Sequence, residues 1–159
     1  MSNPLSPSVQ KVQEALKALG FSNDVKELQS TTRTSADAAQ AVGCSVGQIA
    51  KSIVFRATQT DQPVLVIASG SNRVNEKRIE SFISQPLGKA DADYVRKHTG
   101  FVIGGVPPVG HLETIEIFID EDLLKYEEIW AAAGTPNAVF KLIPSDLVKM
   151  TGGRVVAIK

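Results

Sequence analysis

Short apolar strands and short capped helices alternate along this chain without a regular βαβ rhythm, and that irregularity limits the folds open to it. A doubly wound parallel sheet needs the regular alternation, whereas a mixed α/β sheet or a partly closed barrel does not. The clearest strand is Pro63-Val64-Leu65-Val66-Ile67-Ala68-Ser69, which runs into a Gly70-Ser71-Asn72 turn. Ser52-Ile53-Val54-Phe55 reads as a buried strand that a brief helical turn, capped by Ser45, hands over to. Ile115, Ile117 and Ile119 alternate with Thr114, Glu116 and Phe118, as in a strand with one buried face. Further short strands are expected over 25–28, 129–132, 139–143 and 155–158.

Helix signals fall between these runs. Ser6-Pro7 followed by Val9, Val12, Leu16 and Leu19 predicts a capped amphipathic helix that stops at Gly20. Thr34-Ser35 opens an alanine-rich helix ending at Gly43, with Thr32, Thr34 and Ser35 as capping hydroxyls. Asn75 caps a helix over about 76–84, and further helices are expected over 92–98, 120–126 and 145–150. At 159 residues the chain matches the usual size of one domain with its own core.

Composition narrows the function. Lys+Arg and Asp+Glu both number 17, so the formal net charge is zero, without the basic excess of a protein that grips long stretches of phosphate backbone. Any nucleic-acid contact is then local, such as a strand end, and not extended duplex DNA. The clusters Arg73, Lys77, Arg78 and Arg96, Lys97, His98 are the nearest approach to basic patches, and each also fits a solvated helix face. One cysteine, Cys44, permits no internal disulfide and fits a reducing, cytoplasmic setting. No apolar run reaches the length of a membrane span, and no secretion signal is apparent at the N-terminus.

Several kinds of site lack their signatures. Two histidines and one cysteine offer no close metal-ligand spacing, so no metal is expected. There is no GxxxxGK[ST], no GxGxxG after a strand and no GxSxG elbow, so no nucleotide cofactor or serine nucleophile is expected. Gly104, Gly105, Val106, Pro107, Pro108, Val109, Gly110 and His111 form a rigid loop between apolar runs. Two prolines fix φ and remove two N–H groups, leaving donors on Gly104, Gly105 and Val106 that can converge on one point. Such a loop is either a stiff turn or a cradle for a carbonyl oxygen or oxyanion. Lys51, within Ile49-Ala50-Lys51-Ser52-Ile53, either snorkels to solvent or projects into a cleft to meet a phosphate or developing negative charge. Asp146 suits the first turn of a helix, and Asn137 suits a turn. His111 has no evident orienting carboxylate.

Taken together, Lys51 in its I-A-K-S-I-V-F context, T-G-F-V-I-G-G-V-P-P-V-G-H and G-T-P-N-A-V-F-K-L-I-P-S-D-L resemble, in order and spacing, the YbaK/ProX family of aminoacyl-tRNA deacylases. These are freestanding relatives of the editing domain in bacterial prolyl-tRNA synthetases. The resemblance runs from about Thr34 to the C-terminus. It implies one α/β domain over 1–159 with a mixed, mostly antiparallel, barrel-like sheet and surrounding helices. It also implies hydrolysis of the ester joining a wrong amino acid to the tRNA 3′ end, most plainly tRNA for proline, with no cofactor.

By the same resemblance, Lys51 anchors the terminal adenosine. Gly104, Gly105, Val106 and Pro108 belong to a GxxxP loop that positions the carbonyl and water. Pro107, His111, Asn137, Asp146 and Arg73 are the accompanying substrate-side residues, and a synthetase is a candidate partner. Asp146 matches an aspartate of the cysteine-clearing branch. Gly134-Thr135-Pro136-Asn137 stands where that branch has a basic G-K-R-G turn, and Val139 near where it has a serine, so cysteinyl specificity does not transfer. A non-catalytic tRNA- or synthetase-binding module and a small-molecule ester hydrolase are the other functions open to the same cleft.

Overall fold

A computed structural model describes residues 5–29 and 34–159; the cap expected of Thr32 lies outside them. In chain order the elements are α1 (Pro7–Ala18), β1 (Val25–Glu27), α2 (Ser35–Val42), β2 (Ile49–Ala57), β3 (Pro63–Ser69), α3 (Glu76–Ile83) and β4 (Leu87–Lys89). They continue with α4 (Ala92–Thr99), β5 (Glu116–Asp120), β6 (Ile129–Ala132), β7 (Ala138–Leu142), α5 (Pro144–Thr151) and β8 (Arg154–Val156). Short 3-10 turns at Val46–Gln48 and Glu121–Lys125 precede β2 and follow β5. No helix among the described residues is long and apolar enough to cross a membrane.

Local chemistry sets most helix ends. Thr34 Oγ1 accepts the Asp37 N–H at 3.1 Å, and Gly43 ends α2 at φ +77°. Asp91 caps α4 by accepting the Tyr94 N–H at 2.8 Å. Helix α1 begins with Pro7 at its first position, but Ser6 makes no side-chain cap; its N–H donates instead to Glu27 Oε1 at 2.7 Å, tying α1 to β1. Each satisfied terminal group removes a cost that a free helix end would carry.

The sheet runs β1-β7-β6-β2-β3-β5-β8, with β4 on β2. Four of its seven pairings are antiparallel and three parallel, so it is mixed with an antiparallel majority. Three departures from the strand expectations have physical causes. Strand β2 starts at Ile49, because Ile49 and Ala50 pair with Trp130 and Ala131 of β6; Lys51 is thus inside the strand, past the helical turn. Strand β4 is only three residues with a central glycine, too short for any period, and exists through its pairing with β2. Strand β5 is covered on both faces, since Ile119 joins the larger core while Phe118 packs under α3 beside Phe82.

The sheet has apolar matter on both sides. One face carries the main core, where Val9, Val12 and Leu16 of α1, Val95 of α4 and Leu147 of α5 meet Leu65, Ile67, Ile119 and Phe140. The other carries two separate clusters. Ala38 and Ala39 of α2 pack with Ile49, Trp130 and Val139, while Ile79 of α3 packs with Val64, Val66 and Phe118.

One buried carboxylate holds the end of β5. Asp120, 1% exposed, accepts the Ser69 N–H at 2.9 Å, the Asn72 Nδ2–H at 2.8 Å and the Asp122 N–H at 2.9 Å. Removing it leaves the buried Ser69 N–H without its acceptor and takes one from the part-buried Asn72 and Asp122 donors. We expect Asp120→Ala to lower unfolding stability by about 3 kcal/mol, read as a shift in the urea midpoint with an unchanged slope.

Candidate active site

Strand β2 positions the site because its outer edge is only partly paired. Strand β6 covers Ile49 and Ala50, β4 covers 55–57, and residues 51–54 lie outside both pairings. The opposite edge is fully occupied by β3. The Ile49 carbonyl accepts from Gly70 N–H and the Ala57 N–H donates to Gln62, so odd-numbered main-chain groups turn toward β3. Alternation then aims the N–H and C=O of Ser52 into the gap.

The same alternation places Lys51 on the face of Ile49 and Ile53, between the cluster under α2 and the cluster under α3. Lys51 is exposed, and no ion pair or hydrogen bond holds its ammonium among the described residues.

Across the gap lies the glycine–proline loop. Gly100 ends α4 at φ +84°, and Thr99 accepts the Phe101 N–H at 3.1 Å, which drives Phe101 into the core. Gly104 adopts φ +88°, a conformation that disfavours a side chain. The Gly105 N–H is committed to the Val102 carbonyl at 3.0 Å, so of the three expected donors those of Gly104 and Val106 have no main-chain partner among the described residues.

The Gly105 carbonyl accepts the Gly134 N–H at 2.9 Å, and a Cβ added to Gly105 would lie 2.7 Å from Thr135 Cα. Backbone therefore packs on backbone there. The 134–137 segment is itself fixed: Asn137 Nδ2 donates to the Leu28 carbonyl at 3.0 Å and Thr135 Oγ1 to Asn137 Oδ1 at 2.7 Å.

Between β2 and this loop is a cavity of about 470 Å³, within the range of small-ligand sites. Lys51, Ser52, Val54, Gly104, Val106 and Lys89 line it with Ala90, Val95, Ile103, Trp130, Ala131 and Val139 among others. Among the described residues its wall carries no carboxylate, imidazole or thiol, and no group of three metal-ligating side chains occurs. The expected residues thus fall into two sets. Lys51, Gly104 and Val106 meet at the cavity. Gly105, Pro107, Pro108, His111 and Asn137 support its walls without lining it, while Asp146 in the first turn of α5 and exposed Arg73 before α3 also stand outside the lining.

His111 has a definite task in this arrangement. Its Nε2–H donates to the Pro107 carbonyl at 2.6 Å, buckling the proline segment back on itself. Burial pushes its pKa below the ordinary histidine value, with the Pro107 bond opposing in part, so the ring is neutral. Lys89 and Trp130 are among the lining residues that the sequence did not single out. Lys89 sits on the unrecognised β4, and Trp130 was read only as part of a strand.

Comparison with known proteins identifies the family and the fold. The profile of the aminoacyl-tRNA editing domain matches residues 29–150, and the chain belongs to that family. A crystal structure of a proposed trans-editing enzyme for prolyl-tRNA synthetase superposes with TM-score 0.93 at 46% identity, covering 98% of this chain and 99% of the other. YwhH of Bacillus subtilis is 30% identical over 133 residues, 84% of each chain. A proline–tRNA ligase of Limosilactobacillus fermentum is 32% identical over 91 residues, 55% of this chain but 16% of the ligase. The fold is that of the editing domain, and the family's chemistry is that of a tRNA deacylase.

A histidine held neutral by burial stabilises the fold above its unfolded pKa, and that contribution falls away as pH drops below about 6.5, where the unfolded chain takes up the proton first. The stability gap between wild type and His111→Leu should therefore narrow between pH 7 and pH 5. Denaturation at both pH values measures it.

Proposed function

We propose that this protein is a trans-editing deacylase that clears a small wrong amino acid from tRNA, with tRNA for proline as the substrate body. The observation that carries the reading is the meeting of Lys51 with Gly104 and Val106 around the open edge of β2, in a cavity without a side-chain base. An activated ester suits such a wall. Lys51 holds the phosphate or ribose of the terminal adenosine. The uncommitted Gly104 and Val106 N–H groups receive the carbonyl oxygen and its charge in the tetrahedral intermediate.

Water adds to the ester carbon, the bond to the ribose oxygen breaks, and the leaving oxygen takes up a proton as the free amino acid departs. With no carboxylate or imidazole in the wall, the substrate's own vicinal ribose hydroxyl moves the proton. Pro107, Pro108, His111 and Asn137 act by holding the loop and its neighbour, and any contact of Asp146 or Arg73 with the tRNA lies outside the cavity. Gly105 contributes its carbonyl to the 134–137 segment.

The similarity to proline–tRNA ligases supports the choice of tRNA and a synthetase as partner, in the cytoplasm. For the amino acid, Val139 lines the cavity, near where the resemblance puts a serine in the cysteine-clearing branch, so an alanyl, seryl or threonyl group fits at least as well as cysteinyl.

A panel of mischarged tRNAs with wild type and Lys51→Ala tests the assignment. Wild type should hydrolyse at least one small aminoacyl-tRNA, and Lys51→Ala should lower kcat/KM by about 10²–10³-fold. A wild type that binds but hydrolyses none of them is a binding module, and equal turnover of simple amino-acid esters marks a small-molecule hydrolase. Either result defeats the proposal.

A further inference from the structure

We propose that Lys89 is a second positioning residue for the nucleic acid, holding a backbone phosphate upstream of the terminal adenosine while Lys51 serves the terminal nucleotide. This rests on the deacylase reading and extends it from one nucleotide to the strand. Lys89 pairs with Phe55 across β4 and β2, and paired residues share a face of the sheet. Phe55 lies on the face of Lys51 and Ile53, so Lys51, Ile53, Phe55 and Lys89 form one stripe along the open edge.

The charges of this stripe are uncompensated. Lys125, Lys141 and Lys159 each meet an acidic partner, at 2.8, 3.1 and 3.1 Å. Lys51 and Lys89 are exposed, have no such partner among the described residues, and line a cavity that contains no carboxylate. In a chain of zero formal net charge, two free cations on the wall of one cavity make a local attraction for an anion.

Spacing selects the anion. Four residue steps along the strand, about 13 Å, separate Lys51 from Phe55, the partner of Lys89. That interval suits two positions on an extended polyanion better than one small ion. Ile53 and half-buried Phe55 lie between the two cations and offer the apolar, aromatic floor on which single-stranded bases rest.

The test uses one amino acid esterified to adenosine, which has no upstream phosphate, and to the trinucleotide CCA, which has two. On aminoacyl-CCA, Lys89→Gln should raise KM about tenfold with little change in kcat, and Lys89→Arg should restore it. The plot of log kcat/KM against log salt should lose about 0.7 of its negative slope. On aminoacyl-adenosine the loss should be at least fivefold smaller. Lys89→Glu, with reversed charge, should deepen the difference, and thermal melting checks that each variant is folded.

Equal losses on both substrates, or none on CCA, overturn the role of Lys89 while leaving the deacylase reading intact. A wild type inert on every substrate overturns both.

Discussion

The unfilled stretch in the pairing of β2 is the constraint on which the rest of this structure depends. A strand inside a sheet normally has both edges occupied, since unpaired main-chain groups away from water are costly. Here β3 takes one edge completely, while β6 and β4 divide the other and leave 51–54 between them. The gap connects the two faces of the sheet. Lys51 stands on one side of it, and Val95 and Val106 from the main core close it on the other. If β4 and β6 met, there would be no cavity, and Lys51 would be an ordinary surface lysine.

What faces the gap is mostly backbone, and the surroundings keep that backbone still. The 104–108 loop rests on the 134–135 segment, and a Cβ added to Gly134 would in turn lie 2.7 Å from the Ser8 carbonyl at the start of α1. Three chain segments distant in sequence are therefore stacked main chain on main chain. Glycine is required at 105 for closeness, at 104 for its positive φ and at 134 for both. The neutral His111 ring adds a clamp from the far side. A site built this way stabilises charge with fixed dipoles, which need no rearrangement as the charge develops.

Much of the fold was legible because its signals are local. The apolar run of β3 and the caps of α2 and α3 depend on residues a few positions apart, and those elements lie within a residue of expectation. Strand β4 was not legible, because Leu87, Gly88 and Lys89 carry no period and become a strand only beside β2. Lys89 vanished from view with it. The alternating isoleucines before Asp120 pointed to one buried face, since nothing in them records that α3 covers the other. At the loop, composition counted three donors, and only the fold reveals that the Gly105 N–H is spent within its own turn.

The amino-acid sequence by itself determined the irregular α/β order, the stiffness of the glycine–proline loop and, through three motifs in order, the family. Each is a property of residue types and short spacings, which backbone sterics and periodic burial translate directly. The tertiary structure alone decided that Lys51, Gly104 and Val106 share a cavity, that His111, Asn137 and Asp146 stand outside its lining, and that a second free lysine lies along the same strand edge. These are outcomes of pairing between segments far apart in the chain, where register and sheet order set the geometry and no local pattern encodes it.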